Sequence, residues 1–492
     1  MKTNIITLGC SKNTVDSENV AGHLAHAGFQ VHFDRSGNDC DIVIVNTCGF
    51  IGDAKEESIN VLIEQIEAKR RFNRRHARDG RHRTLIAVGC LVERYRDELR
   101  PEMPEVDAWY GVHEWESLIE SFKLRTVSCK WSASHSSPMR VVSSGDHEGD
   151  EAKSPRNRQL LSSEPSSCFP ELRSATLWSQ GRRSVSLTTQ RTLSTPKHYA
   201  YLKISEGCNR ACSYCAIPLI RGKHVSRPID DLVAEARQLV ADGVKELILI
   251  AQDTTYYGLD LYGRRALADL LERLATESGA SWIRLHYTYP TSFPVDAIEV
   301  MRRHDNICNY IDIPLQHINT RILSSMQRGI DREGTLALLR QFREQLPDVA
   351  IRTTLIVGYP GETEKEFDEL KAFVREARFD RMGCFAYSPE EGTPAERLGD
   401  PVAEEEKSRR VGELMVIQER ISLEKNEARV GRVYRVLVDR REGDYYIART
   451  EFDSPEVDDE VLIAAKRPLR VGDFCNVRIT GALENDLLAD LL

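Results

Sequence analysis

The 492-residue sequence contains no apolar run of membrane-spanning length. Its opening stretch, Met1 to Gly9, reads as a strand and lacks the basic, apolar and small-residue zones of a secretion signal. Together these absences predict a cytoplasmic protein. An excess of positive charge is also missing. The net charge is −9, which argues against broad, unselective binding to nucleic acid, although a local basic groove stays open. No stable nucleic-acid partner is expected. Twelve cysteines in a reducing compartment do not make a disulfide framework, and metal ligation explains them better. A fourth thiol is absent from their densest group, Cys208, Cys212 and Cys215, spaced C-x3-C-x2-C with Tyr214 before the last. Cubane iron–sulfur clusters normally take four thiolates, so three leave one iron open to a substrate or cofactor. The alternative is zinc. It needs a fourth ligand, for which His224 is the nearest local candidate, and structural zinc sites usually pair their cysteines as two knuckles.

What is present reads as three domains. With 41% hydrophobic residues a sizeable core can form. Residues 1–126 alternate apolar strands (Asn4–Leu8, Asp41–Val45, Thr84–Val88) with amphipathic helices, such as Asp16–Ala27 and one from about Ala54. Buried strands separated by helices predict a doubly wound parallel sheet. Cys10, Cys48 and Cys90 each follow one of these strands, where open α/β sheets build their sites. They are either a second metal site or three buried small residues. Residues 194–424 repeat the strand–helix pattern at Tyr201–Ser205, Glu246–Ala251, Trp282–Tyr287, Tyr310–Pro314, Ala350–Val357 and Arg381–Tyr387. Six such units predict a partial (β/α)6 barrel, with the C-x3-C-x2-C loop directly after its first strand. Residues 427–492 hold short strands (Val433–Val438, Tyr445–Thr450, Glu460–Ile463, Phe474–Thr480) and predict a small all-β barrel. Positions 127–198 contain 17 serines and little apolar periodicity, so 127–193 is expected to be a disordered insert or linker.

The cysteine spacing resembles that of radical S-adenosylmethionine enzymes. With both cysteine triads, the chain resembles the radical S-adenosylmethionine methylthiotransferases. The match runs through Leu8-Gly9-Cys10-Ser11-Lys12-Asn13-Thr14, Asn46-Thr47-Cys48-Gly49-Phe50, Tyr201-Leu202-Lys203-Ile204-Ser205-Glu206-Gly207-Cys208 and Leu249-Ile250-Ala251-Gln252-Asp253-Thr254-Thr255. It continues in Asp312-Ile313-Pro314-Leu315-Gln316-His317, Arg352-Thr353-Thr354-Leu355-Ile356-Val357-Gly358-Tyr359-Pro360-Gly361-Glu362-Thr363 and Arg449-Thr450-Glu451-Phe452-Asp453-Ser454-Pro455-Glu456-Val457-Asp458. It breaks off near Phe122 and resumes near Arg191. The resemblance implies an N-terminal cluster domain, a radical SAM barrel and a C-terminal TRAM barrel.

It further implies two 4Fe–4S clusters, one on Cys208, Cys212 and Cys215 and one on Cys10, Cys48 and Cys90. S-adenosyl-L-methionine would serve both as methyl donor and as radical source. The catalytic role falls to the first triad, with Tyr214, Gln252, Gly358 and Glu362 as cofactor neighbours. The segment Gly358–Thr363 is either such a neighbour or a plain strand-to-helix turn; Gln252-Asp253 either touches the sugar or caps a helix. Tyr214 reads equally as packing beside the cluster. Lys12 and Arg221 either meet a substrate carboxylate or are solvated. Cys40, Cys308, Cys384 and Cys475 read as buried small residues.

Two branches of the family differ in substrate. One modifies an aspartate β-carbon of ribosomal small-subunit protein S12; the other modifies a tRNA adenosine. Residues 427–492 carry ten basic and fourteen acidic side chains, with an acidic run at Asp453–Glu460, which suits a basic protein better than a phosphate backbone. An electron donor such as flavodoxin or ferredoxin and a sulfur source are implied partners, and no membrane. A non-catalytic metal-binding scaffold is the competing class.

Overall fold

A computed structural model describes residues 1–34, 39–122 and 191–492. The expected Ser-rich insert therefore lies outside the described residues except for Arg191–Leu193. Arg191 is buried: its guanidinium donates to Glu18 and Glu235 and to the Tyr201 carbonyl. Among the described residues, no helix is long and apolar enough to cross a membrane.

The N-terminal sheet has five parallel strands: β1 (Lys2–Thr7), β2 (Gln30–Phe33), β3 (Ile42–Thr47), β4 (Thr84–Gly89) and β5 (Ala108–Tyr110). Their order is β2-β1-β3-β4-β5. Alternate residues of each strand serve opposite faces. Ile5, Ile42, Ile44, Ile86 and Val88 pack against Val20 and Leu24 of helix α1 (Ser11–His26). Val43, Val45, Leu85 and Ala87 pack against Leu62 and Ile66 of helix α2 (Gly52–Arg75) and Leu91 of helix α3 (Cys90–Glu102). The sheet is thus doubly wound. Its winding direction reverses between β1 and β3, the kind of crevice where such sheets place ligands.

The central unit holds six parallel strands in sequence order: β6 (Tyr199–Lys203), β9 (Glu246–Ile250), β10 (Trp282–Leu285), β11 (Ile307–Asp312), β12 (Ala350–Val357) and β13 (Arg381–Ala386). A short hairpin, β7 (Ser205–Glu206) with β8 (Val225–Ser226), follows β6. Leu247, Leu249, Ile283, Leu285, Ile311 and Ile351 face the surrounding helices and fill the largest apolar core. The ends β6 and β13 do not pair, so the barrel is partial, as its six units predicted. The C-terminal strands β14 (Val433–Glu442), β15 (Tyr445–Arg449), β16 (Glu460–Ala464), β17 (Phe474–Ala482) and β18 (Asp486–Leu491) close into a small barrel.

The acidic run of that small barrel is mostly not a solvated surface: Asp453, Asp458 and Asp459 are turned inward, while Glu456 and Val457 are exposed. It fills the floor of the central barrel. Asp458 accepts from Tyr310 Oη (2.7 Å) and Arg352 Nε (3.2 Å). Asp453 and Asp459 meet Arg381, and Glu456 accepts from Tyr199 Oη at 2.8 Å. Glu246 is clamped between Arg284 (2.7 Å) and Arg449 (2.8 Å), all three fully or almost fully buried. Charges this deep survive because each has an opposite partner. Sequence displayed the acidic residues but not these partners, so reading them as a basic-protein docking surface is corrected here. Without buried or nearly buried Asp439, Asp453, Asp458, Asp459 and Arg449, the domain carries nine basic and ten acidic side chains. Its outer surface is nearly neutral.

Candidate radical and sulfur-transfer centre

Each sheet-edge cysteine is placed by a strand end and a close backbone approach. Gly9 has φ +89°, and a Cβ there would lie 2.7 Å from Cys48 Sγ, so a side chain would evict the thiol. Gly49 is squeezed likewise against Leu91 at 2.7 Å. Cys10 opens α1 as its cap residue, Cys48 follows β3, and Cys90 begins α3. The backbone N–H of Cys48 donates to Ser58 Oγ (2.9 Å), whose hydroxyl returns to the Cys48 carbonyl (2.9 Å). Burial pushes the Cys90 thiol up to about 12, and the neighbouring Cys10 and Cys48 add to the effect against Arg221. Burial likewise raises Cys48.

At the barrel mouth, burial raises Cys208 to about 11 and Cys215 to about 12. Such thiols ionise at neutral pH only when a cation replaces the lost water, which irons do and bare protein does not. The surroundings of Cys212 are prepared for a thiolate. Arg328 Nη1 donates to its sulfur at 3.3 Å, and the Tyr289 hydroxyl stands 3.4 Å away. The Tyr289 ring is flanked by the guanidiniums of Arg210 (4.0 Å) and Arg328 (4.1 Å). The Cys208 sulfur accepts from Arg210 N at 3.4 Å. These donor sets suit iron-bound thiolates. The zinc alternative gains no such support. His224 Nε2 lies 3.1 Å from Ser226 Oγ, and among the described residues no three Cys, His, Asp or Glu side chains converge on one ion-sized point.

The segment just past Cys215 meets the sheet-edge thiol Cys90. Cys90, Val112, Ala216 and Ile220 form one buried apolar cluster; Ala216 caps and Ile220 lies within helix α4 (Ile217–Arg221), just past Cys215. Arg221 stands at this junction, 2% exposed. Its Nη1 reaches Asp16 (3.1 Å) and Glu206 (2.9 and 3.0 Å); its Nη2 reaches Asn13 (2.5 Å) and Cys90 Sγ (3.5 Å). Lys203 joins Asp16 and Glu206 in the same network. Burial would raise the Glu206 carboxyl, but Arg221 and Lys203 hold it far below the usual range. Arg221 is therefore no solvated surface residue. Lys12 is also buried, its Nζ 2.9 Å from the centroid of the Tyr287 ring. Tyr287 itself adopts φ +55°, a left-handed backbone rare outside glycine.

The expected cofactor neighbours divide. Tyr214 accepts from Arg328 (3.2 Å) and packs with Ile322, Met326 and Tyr359. Gln252 donates to Glu206 (2.9 Å) while its Oε1 has no partner, so it faces the mouth with capacity to spare. Asp253 caps the turn Thr254–Tyr256 and pairs with Arg210. Gly358 has φ +71° and its N–H donates to Glu362, whose second oxygen lies 3.6 Å from His317. Glu362 thus shapes the turn from beneath, as the plain-turn reading expects. Gln316 Oε1 and His317 Nε2 are buried without hydrogen-bond partners at the same mouth. Orphaned polar atoms at a barrel mouth fit a polar cofactor. Arg328 and Tyr289 carried no local sequence signal, and Gln316 entered only within the matched run Asp312–His317; Arg328 sits in a turn between Gln327 (φ +55°) and Gly329 (φ +66°).

Three family models cover the chain: the Radical SAM superfamily over residues 202–374, the uncharacterized protein family UPF0004 over 2–111, and the TRAM domain over 430–492. A "Ribosomal protein uS12 methylthiotransferase RimO" from Bacteroides thetaiotaomicron is 46% identical, covering 100% of this chain and 98% of that one. Its namesake from Flavobacterium psychrophilum is 47% identical over 99% of this chain and 98% of its own length. The chain belongs to the RimO family. RimO relatives thus match all three domains. The radical S-adenosylmethionine methyltransferase TsrM from Kitasatospora setae, solved with tryptophan and a SAM analog, superimposes with TM-score 0.50 at 14% identity. The match covers 90% of this chain and 79% of that one, a likeness of fold alone. RimO membership makes the protein a radical SAM methylthiotransferase by family.

Proposed function

We propose that the protein transfers a methylthio group to the β-carbon of an aspartate in small-subunit ribosomal protein S12. The observation that carries this reading is Arg221, on the helix just past Cys215, whose guanidinium donates to the Cys90 sulfur at 3.5 Å and so supports a link between the two thiol triads. Cys10, Cys48 and Cys90 would hold one 4Fe–4S cluster, and Cys208, Cys212 and Cys215 the other. When bound, the clusters and S-adenosylmethionine supply the reducing electron, the radical and the sulfur carrier. The chain's own task is to aim the substrate carbon and exclude water. The barrel mouth does so with Tyr287, Tyr289 and the buried Lys12, whose ammonium suits a substrate carboxylate. Gln252 Oε1 and Gln316 Oε1 are free to bind polar groups of the cofactor. A reductant of the flavodoxin or ferredoxin type and a sulfur source complete the cycle. The division into 1–126, a linker at 127–193, 194–424 and 427–492 assigns the sulfur site, the radical site and the floor of the barrel to separate segments.

The tRNA reading loses no ground from charge, since the C-terminal surface is nearly neutral; the names of the full-length relatives favour the protein substrate. The test is mass spectrometry on S12 and tRNA after incubation with anaerobically reconstituted enzyme. A methylthio mass gain on S12 is expected. A gain on tRNA with none on S12 overturns the reading. Replacing Cys10, Cys48 and Cys90 by Ala should spare some cofactor cleavage and end transfer; transfer at the parent rate would reduce those thiols to packing.

A further inference from the structure

We infer that Arg221 is a positioning residue that clasps the two thiol sites together and donates directly to the Cys90 sulfur. The inference rests on reading Cys10, Cys48 and Cys90 as cluster ligands. Arg221 touches three separate parts of the chain: α1 through Asn13 and Asp16, the start of α3 through Cys90, and the barrel hairpin through Glu206. It belongs to α4, which begins two residues after Cys215. One planar group thus spans the seam between the domains, one arm on carboxylates and the other on an amide oxygen and a thiol.

The simpler account is a buried ion pair. It explains only half of the geometry. Asp16 and Glu206 already have Lys203, which bonds to both. The second arm of Arg221 contributes nothing to that pairing; it is spent on Asn13 and Cys90. Asn13 is itself pinned, its Nδ2 donating to the Leu8 (2.8 Å) and Thr47 (3.1 Å) carbonyls beside Cys10 and Cys48. The guanidinium therefore bears on all three sheet-edge cysteines, on Cys90 directly and on the other two through Asn13. Only a rigid fork can face two directions at once; a lysine ammonium is a single point. A hydrogen bond and a positive charge at a ligand sulfur stabilise the more reduced, more negative state of an iron–sulfur centre.

The lysine variant separates the two accounts. Protein with Cys208, Cys212 and Cys215 replaced by Ala is reconstituted so that only the sheet-edge site can take iron. The parent is compared with Arg221→Lys and Arg221→Gln by iron and sulfide counting, thermal melting, electron paramagnetic resonance and redox titration. Arg221→Lys should keep the parent's melting temperature, because the carboxylates still meet a cation. It should nevertheless shift the midpoint potential to more negative values and alter the resonance spectrum. Arg221→Gln should show the same shift with a lower melting temperature. A lysine variant with the parent's spectrum and potential overturns the clasp and leaves the ligand reading standing. A parent that binds no iron at Cys10, Cys48 and Cys90 overturns the ligand reading and the clasp with it.

Discussion

The mouth and the floor of the central barrel are built from the same kinds of residue and end in opposite conditions. On the floor, Glu246, Arg284, Asp312, Arg352, Arg381 and Asp458 are charged, deeply buried and matched partner for partner. At the mouth, Gln252 and Gln316 keep unpartnered amide oxygens, His317 Nε2 has only Glu362 at 3.6 Å, and Tyr287 and Gln316 hold left-handed backbones. On the floor each charge has an opposite partner within the protein, although Arg284 Nη2 and Arg381 Nε keep no hydrogen bond. The mouth leaves the amide oxygens of Gln252 and Gln316 unpaired, at a stability cost that a polar ligand would offset. The contrast follows the general polarity of barrels, with chemistry at the carboxyl ends of strands and stability at the other.

The contrast is sharpest in its extreme cases. Replacing Cys208, Cys212 and Cys215 by Ala should abolish deoxyadenosine formation while leaving the melting profile of the cofactor-free protein almost unchanged; chromatography of the reaction products and calorimetry read the two. Residual cleavage would break the assignment of the mouth. Glu246→Gln does the reverse on the floor. Removing one member of a buried charge set costs about 3–5 kcal/mol, so denaturant unfolding should shift strongly while the iron content per folded molecule holds. A smaller effect marks the seam with the small barrel. Burial, against Arg381 and with Asp453 nearby, raises the Asp459 carboxyl to about 7. A carboxyl raised on folding stabilises fully below its unfolded value near 4 and loses that contribution as pH rises through about 7. Melting temperature should therefore fall from pH 5 to pH 8, and fall less in Asp459→Asn; an equal fall in both would remove Asp459 as the cause. The smallest effect belongs to the turn beneath the mouth. Thr363 caps the helix Glu364–Ala377 in a reciprocal box with Glu366. Thr363→Ala should cost about 1 kcal/mol in denaturant titration, with the cysteine loop untouched.

Much of the mouth was legible because strand ends are local. Val43-Ile44-Val45 and Leu85-Ile86-Ala87 announce buried parallel strands, and the cysteine three residues on is then at a carboxyl edge. The short strands β2 and β5 were not legible: four half-exposed residues and three residues give periodicity too little length. β18 hides behind the charged turn at Glu484. Most of the floor was invisible for another reason. Asp458 and Asp453 find Arg352 and Arg381 at separations of 106 and 72 residues, and sequence shows a charge without its partner. The same holds for Arg221, whose partners Asn13 and Asp16 lie 208 and 205 residues away.

The plugged floor also sets a timetable for synthesis. Arg284, Arg352 and Arg381 leave the ribosome well before Glu451, Asp453 and Asp458 exist to meet them. At roughly 5–20 residues per second, the strand bearing Arg381 waits several seconds for its carboxylates. During that interval Arg284 and Arg352 already have Glu246 and Asp312, whereas the Arg381 guanidinium has yet to meet Asp453 and Asp459, so this corner of the floor is completed last.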